Sequence, residues 1–208
     1  MAKSKNIPAE VLILLKTVHE VEAEIETERK FRLTPETFAA QIANAQDLRK
    51  ISILQGWFKH DDGEQSKTYR VRQISSKEGV RYVLEYKNRL EDLEYSKEEF
   101  LIDISAEQFL KCIGLCKWFI TKDRYLFSDE NMGEVVIDVY LGREDIILEK
   151  EFPNDPDEEK AREFKTAYWC GEEVTKDFSS KWAAKELARE SDGIHPEELK
   201  EQSGRLVN

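Results

Sequence analysis

The feature that most constrains this chain is the recurrence of ionisable side chains at every second position of successive segments. Glu24, Glu26, Glu28 and Lys30 open the pattern. Because successive side chains of a β-strand point to opposite faces, a spacing of two places such residues on one side of a strand. The spacing returns further along the chain at Arg70 and Arg72, Glu85 and Lys87, Lys97 and Glu99, Lys122 and Arg124, and Glu149 and Glu151. The pattern predicts many strands, each with a charged face.

Apolar periodicity and turn residues predict where the strands and helices lie. Strands are predicted over residues 24–32, 51–59, 67–74, 81–88, 97–104, 118–127, 134–140 and 146–152. One helix begins at Pro35 with Thr34 as its N-cap, and it is expected to carry Phe38, Ile42 and Leu48. The other helices are predicted over residues 7–21, 105–116, 157–165 and 180–189.

Many antiparallel strands joined by short turns indicate a closed barrel or a sandwich. We expect residues 1–23 to form an N-terminal helical extension, residues 24–190 the main domain, and residues 191–208 a polar tail. The positions opposite the charged ones would supply the packing layer between the strands and the outer helices. These positions are Tyr69, Val71, Leu84, Tyr86, Val136, Val139, Leu148 and Phe152.

The charged faces admit two interpretations. Alternating charge is most often a strand face in contact with solvent. Here, however, the first and last strands carry acidic pairs, and two strands between them carry basic pairs. An oligophosphate site needs this division, since Arg and Lys bind phosphate oxygens and carboxylates hold Mg²⁺ or Mn²⁺. The sorting therefore favours a phosphate site with a divalent metal.

Composition narrows the partners and the compartment. The net charge of −11 argues against a protein that coats nucleic acid, because phosphate neutralisation needs an excess of Lys and Arg. Cys112, Cys116 and Cys170 form no CxxC pair and are interpreted as free thiols of a reducing cytoplasm. No apolar run is long enough for a signal peptide or a membrane span. We expect a cytoplasmic protein with neither nucleic acid nor membrane as partner.

Several segments resemble, in order, the motifs of the CYTH family, the triphosphate tunnel metalloenzymes. Residues 25–31 (IETERKF) resemble the ExExK signature, and residues 54–58 (LQGWF) the bacterial "QGY" strand. Residues 69–73 (YRVRQ) resemble the RxR strand, and Lys87 stands at the lysine of "LTxK". Later matches are residues 122–125 (KDRY), 137–140 (IDVY), 148–152 (LEKEF) and 169–175 (WCGEEVT). ExExK alone is a weak signal, whereas eight ordered matches over residues 25–175 are a strong one.

The resemblance implies an α+β fold, an eight-stranded antiparallel β-barrel open as a tunnel with helices packed outside. It implies a small-molecule triphosphate as partner, bound by Lys30, Arg70, Arg72, Lys87, Lys122 and Arg124. It implies Mg²⁺ or Mn²⁺ bound by Glu26, Glu28, Glu99, Asp138, Glu149 and Glu151. Catalytic roles fall to Glu26, Glu28, Lys30 and Lys87.

The sequence departs from the family pattern at a few positions. Glu85 stands where the family usually has Thr and adds negative charge beside Lys87. Leu101 takes the place of a carboxylate, which would remove one metal ligand. Ser180 and Trp182 occupy the region of the final helix where the family has Tyr and Asn.

The function expected from the resemblance is metal-dependent hydrolysis of inorganic triphosphate, which the "QGY"-like and "GEEVT" segments favour over thiamine triphosphate. The alternatives are a class IV-type adenylate cyclase, another nucleoside or thiamine triphosphatase, and a non-catalytic module that binds polyphosphate or nucleotide. Clustered carboxylates that raise one another's pKa, together with competition between the metal and protons, would give an alkaline optimum. The N-terminal helix would cap a tunnel mouth, mediate a homodimer or pack on the barrel.

Overall fold

The computed structural model describes residues 7–61, 66–90, 92–152 and 158–175. The segments predicted as strands are all strands, and several are longer than expected. They are β1 Glu24–Arg32, β2 Gln46–Asp61, β3 Ser66–Ser76, β4 Gly79–Arg89, β5 Ser96–Asp103, β6 Trp118–Asp129, β7 Gly133–Tyr140 and β8 Ile146–Glu151.

The strands close into an antiparallel barrel in the order β1-β5-β4-β3-β2-β6-β7-β8. The first strand closes the ring, because its first half pairs with β5 from Glu24 to Thr27 and its second half pairs with β8 from Glu28 to Arg32. The fold is therefore the α+β barrel that the family resemblance implied. The alternative of a sandwich is wrong.

The helices pack against the outside of this barrel. They are α1 Ala9–Thr17, α2 Pro35–Asn44, α3 Ala106–Ile113 and α4 Glu158–Glu163. Thr34 caps α2 as predicted, since its side chain accepts a hydrogen bond from the backbone amide of Thr37. None of the helices in the described residues is long and apolar enough to span a bilayer.

Two apolar clusters between helices and strands hold the outer layer together. Val11 and Leu15 of α1 and Phe109 of α3 are buried against Val71 and Leu84 of the barrel wall. The second cluster joins buried Phe31 and Leu148 to side chains of α2 and of the segment after α4. Each such apolar side chain contributes about 1.5–3 kcal/mol when fully buried. The N-terminal helix thus packs on the barrel.

Leu48 is one residue whose predicted element is wrong. The second helix ends at Asn44, and Leu48 lies in β2 with 38% of its surface exposed. The start of β2 is irregular, because Asp47 has a φ of 52° and the register with β6 shifts between Gln46 and Arg49. An inserted residue of this kind is a β-bulge, which interrupts the period of two.

Three predictions fall outside the described residues. They are the helix over residues 180–189, the tail from residue 191, and the part of the β2–β3 turn at Asp62 and Gly63. Ser180 and Trp182 lie there as well. The proposed division into an extension, a barrel domain and a tail stays a prediction.

Candidate functional site

The charged strand faces point into the barrel, around a cavity of about 780 Å³. Residues directly opposite one another on paired strands share a face, and the pairs Glu26–Lys97, Arg70–Glu85 and Arg124–Asp138 all lie inside. Glu28, Glu85, Asp138 and other charged residues are buried, although ionised groups are costly to bury unless they are paired. The interpretation of the charged faces as solvated outer surfaces is wrong.

Two arginines on β3 meet a carboxylate on β4 at one side of the cavity. Glu85 is fully buried and contacts the Nη2 atoms of both Arg70 and Arg72. Glu99 on β5 lies near the same arginines, with its Oε1 3.5 Å from Arg70 Nη2 and 3.6 Å from Arg72 Nη2. Lys87 contacts Glu26 and lies 3.5 Å from Glu99 Oε1. This side of the cavity therefore balances basic and acidic groups.

Lys30 forms the centre of a second cluster where β1 meets β8. Its Nζ donates to Glu149 Oε1 at 2.5 Å and to Glu28 Oε2 at 2.9 Å. The other oxygen of Glu28 accepts from Lys97 Nζ at 2.6 Å. Each of the two carboxylates is thereby neutralised by at least one ammonium group.

Asp138 on β7 joins a third cluster to the second. Arg124 holds it with two parallel hydrogen bonds, from Nε to Oδ1 at 2.7 Å and from Nη2 to Oδ2 at 2.8 Å. Lys122 also contacts Oδ2. Arg124 Nη2 donates in addition to Glu149 Oε2 at 2.6 Å, so the clusters form one network.

Residues 172–174 complete the barrel wall beside Lys30. β1 pairs with β5 only as far as Thr27, and beyond it the backbone amide of Arg32 donates to Glu172 O at 2.9 Å. The amide of Val174 donates to Lys30 O at 2.8 Å. A side chain at Gly171 would overlap the carbonyl of Arg32, which explains the glycine in the WCGEEVT segment.

No protein-family model matches the sequence, and no curated protein matches it. A crystal structure described as the inorganic triphosphatase NE1496 is 25% identical, covers 76% of this chain and 93% of that one, and has a TM-score of 0.50. The PH1819 protein from Pyrococcus horikoshii is 18% identical over 66% of this chain and 84% of that one, with a TM-score of 0.54, and supports the fold alone.

The structural neighbours are consistent with the CYTH, or triphosphate tunnel, family. The residues of the expected triphosphate tunnel site line the cavity, except that Asp138 lies buried against Lys122 and Arg124; Glu151 is exposed. Val136, which we expected in the outer packing layer, also faces inward and lines the cavity, because it pairs with Glu149. That expectation was wrong, since apolar character alone cannot distinguish the two faces of a strand.

Sequence reasoning missed several tunnel residues. Lys97 was placed on a charged strand face but given no role, yet it binds Glu28. Gln55 is 2% exposed and pairs with Arg72 on the inner face, and its Oε1 has no hydrogen-bond partner among the described residues. Tyr140 lies under Lys122, with the ammonium 5.5 Å from the ring centroid. The spacing of two from Asp138 could have found Tyr140.

The electrostatics contradict part of the expectation about clustered carboxylates. Burial would raise the pKa of Glu28, but Lys30 and Lys97 outweigh it and hold the pKa well below its ordinary value. Glu149 behaves in the same way, with Lys30 and Arg124 outweighing burial. Glu151 does follow the expectation, since burial, Glu26 and Glu149 raise its pKa. Mutual repulsion of carboxylates therefore does not support an alkaline optimum.

Two of the basic groups are perturbed by burial. Burial lowers the pKa of Lys122 to about 8, against the opposing influence of Asp138. Burial also lowers the pKa of Arg70, although Glu99 and Glu26 oppose it. In both groups the effect of burial on the pKa exceeds the opposing effect of the neighbouring carboxylates.

The carboxylates that line the cavity are candidate ligands of a divalent cation. Within the described ranges, no three carboxylate, imidazole or thiol groups already converge as a metal site. The donor chemistry nevertheless suits a hard cation, because Glu26, Glu28, Glu149 and Glu151 line the cavity from the adjacent strands β1 and β8. Glu151 forms no ion pair with any described residue, and burial together with the nearby Glu26 and Glu149 raises its pKa, so a bound cation would stabilise its ionised form.

Proposed function

We propose that this chain hydrolyses inorganic triphosphate inside the barrel with Mg²⁺ or Mn²⁺. The observation that carries the proposal is a cavity of about 780 Å³ whose lining brings together basic side chains and carboxylates from several strands. A buried network of this kind stabilises a fold poorly, since apolar residues of similar volume often serve as well. The similarity to the inorganic triphosphatase NE1496 supports the same reaction.

In this proposal the cations of three strands bind the phosphate oxygens. They are Arg70 and Arg72 of β3, Lys87 of β4, and Lys122 and Arg124 of β6. In the structure these cations contact carboxylates, such as Glu85 and Asp138. Phosphate oxygens can accept the same paired hydrogen bonds from a guanidinium as carboxylate oxygens do. Catalysis of phosphoryl transfer depends mainly on positioning the substrate and on stabilising the charge of the transition state. The five cations would do both.

The carboxylates of β1 and β8 would hold the metal. Glu26, Glu28, Glu149 and Glu151 are the proposed ligands, with Glu99 and Asp138 as further acidic groups of the tunnel. When bound, the ion supplies charge neutralisation on the leaving diphosphate and a lower pKa for the attacking water. Lys30 separates Glu28 from Glu149 and orients both toward the cavity.

The deciding experiment measures phosphate release from inorganic triphosphate, ATP and thiamine triphosphate, each with Mg²⁺ or Mn²⁺. The Glu28→Gln variant removes one proposed ligand at nearly constant volume. Glu98→Gln is the matched control, because Glu98 lies on the outer face of β5 and accepts a hydrogen bond from Asn88 at 2.8 Å. Metal-dependent release from inorganic triphosphate that disappears only in Glu28→Gln is the expected result. Release of cyclic AMP from ATP would instead support the cyclase.

A non-catalytic module is the second candidate, because two observations favour it. Among the described residues no metal site is preformed, and most of the carboxylates contact Lys or Arg. Leu101 also faces the cavity where a further carboxylate would stand. Tight binding of inorganic triphosphate by calorimetry, without turnover of any of the three substrates, would establish this alternative. Cytoplasmic location and a homodimer stay predictions.

A further inference from the structure

Glu85 is a charged residue of the tunnel to which the proposed reaction gives no role. It lies on β4 with no exposed surface and is directly opposite Leu101 of β5. It contacts the two arginines that the proposed function assigns to phosphate binding. A buried carboxylate between two guanidinium groups occupies the position that a phosphate group would otherwise take.

The arginines are only partly satisfied by this carboxylate. Each guanidinium carries five N–H donors, and Arg70 and Arg72 approach Glu85 through Nη2. The Nε atoms of both are buried and have no hydrogen-bond partner among the described residues. Unpaired donors of this kind are costly, so the pair still favours a further acceptor.

The net charge around Arg70 and Arg72 determines how strongly they bind an incoming anion. Glu85 contacts both arginines, and Glu99 lies within 3.6 Å of both, so two carboxylates balance two guanidinium groups. An incoming anion therefore meets a nearly neutral group and competes with Glu85 for donors. Without the charge of Glu85, the same anion would meet an excess of positive charge. The attraction between opposite charges is stronger in the low dielectric of a protein interior than in water, so the anion would bind more tightly.

We propose that Glu85 is an internal competitor for the arginine pair, a specificity-determining residue that weakens phosphate binding and speeds release of the phosphate products. The inference rests on the proposed function of the arginines. Ligands that also reach Lys30, Lys122 and Arg124 are retained despite the competition, whereas shorter phosphates lose a larger share of their contacts. Glu85 thereby favours binding of the triphosphate over retention of diphosphate.

The experiment measures binding of inorganic triphosphate and of pyrophosphate by calorimetry in metal-free buffer. The wild type is compared with Glu85→Gln and with the outer-face control Glu98→Gln. We expect Glu85→Gln to bind pyrophosphate about tenfold more tightly, since a hydrogen bond to a charged group is worth about that factor, and to tighten binding of inorganic triphosphate by a smaller factor. Glu98→Gln should match the wild type. In turnover assays, inhibition by pyrophosphate should strengthen by a similar factor.

The outcomes separate the inference from the function on which it rests. Unchanged or weaker binding in Glu85→Gln would overturn the inference, because Glu85 would then only position the arginines. Failure of the wild type to bind inorganic triphosphate at all would overturn the proposed function, and the inference with it. If Glu85→Gln does not fold, Glu85→Asp keeps the charge but withdraws the carboxylate. That variant should tighten binding to a smaller extent, and weaker binding there would equally contradict the competition.

Discussion

Asp138 provides a quantitative test of how the buried charges of the tunnel depend on one another. Its side chain has no exposed surface, and it accepts two hydrogen bonds from Arg124 while contacting Lys122. Changing Asp138 to Asn preserves the shape but removes the charge. Within the described residues, Arg124 then keeps its ion pair to Glu149 at 2.6 Å, and Lys122 keeps none.

The expected cost follows from the burial of the group. Removing one partner of a buried ion pair typically costs about 3–5 kcal/mol of unfolding free energy. The remaining contact to Glu149 puts Asp138→Asn near the lower end, at about 3 kcal/mol. For a chain of this size, 1 kcal/mol shifts the midpoint by roughly 2–4 °C, so Tm should fall by about 10 °C.

Thermal denaturation followed by circular dichroism measures this shift. The control is Asp103→Asn, which breaks an ion pair to Arg81 at 2.6 Å in which both side chains are more than half exposed. Exposed pairs contribute about 0–1 kcal/mol, so its Tm should move by no more than a few degrees. Inorganic triphosphate should restore part of the loss in Asp138→Asn, because its charge compensates the two cations. Equal Tm values for both variants would refute the reasoning.

Three further predictions concern binding, pH and packing. Lys87→Glu should reduce the affinity for inorganic triphosphate at least about 100-fold, because it reverses a charge inside the cavity. Lys77→Glu on the exposed β3–β4 turn should leave that affinity unchanged. Calorimetry measures both affinities, and equal values would contradict the proposed phosphate site. In metal-free buffer, that affinity should fall as pH rises through about 8, where Lys122 loses its proton because burial lowers its pKa; a flat profile from pH 7 to 9 would argue against its role. The same lowered pKa means that the unfolded chain binds more protons than the folded one between about 8 and the ordinary lysine value of 10.5, so this group's contribution to stability rises with pH there. Gly171→Ala should lower the free energy of unfolding by at least about 2 kcal/mol, because the new methyl group overlaps the backbone carbonyl of Arg32. The control Gly114→Ala meets only ordinary contacts at 3.5 Å. Equal stability of the two variants in denaturant unfolding would show that a glycine is not required at position 171.

The local structure could be read from the sequence wherever one pattern dominated. β1 begins and ends at the predicted residues, because alternating charge from Glu24 to Arg32 is uninterrupted. The prediction failed at Leu48, where a bulge at the start of β2 breaks the period of two. It failed again at Val136, which was assigned to the outer layer for its apolar character although it stands two positions before Asp138 and therefore shares the charged face. The first error is visible only from the partner strand, whereas the spacing of two could have corrected the second.

The identity of the site residues was more predictable than their arrangement. Spacing and family motifs placed the basic and acidic residues on one side of each strand, which the barrel confirms. They did not reveal that Lys30 lies between Glu28 and Glu149, because that contact joins strands far apart in sequence. Glu85 was recognised only as an added negative charge near Lys87, whereas the structure puts it against the arginines. Rotamers and cross-strand register decide such pairings, and neither is encoded locally.

The closure of the barrel at β1 has a consequence for the protein during its synthesis. Its first strand finds its final neighbours only in β5, in β8 and in residues 172–174, so its backbone has an unpaired edge until late in synthesis. An exposed strand edge invites pairing with other chains. The charged side chains of β1 oppose such pairing between copies, since Glu24, Glu26 and Glu28 repel their equivalents. The residues that line the tunnel in the folded protein would then also protect the nascent chain from aggregation on the ribosome.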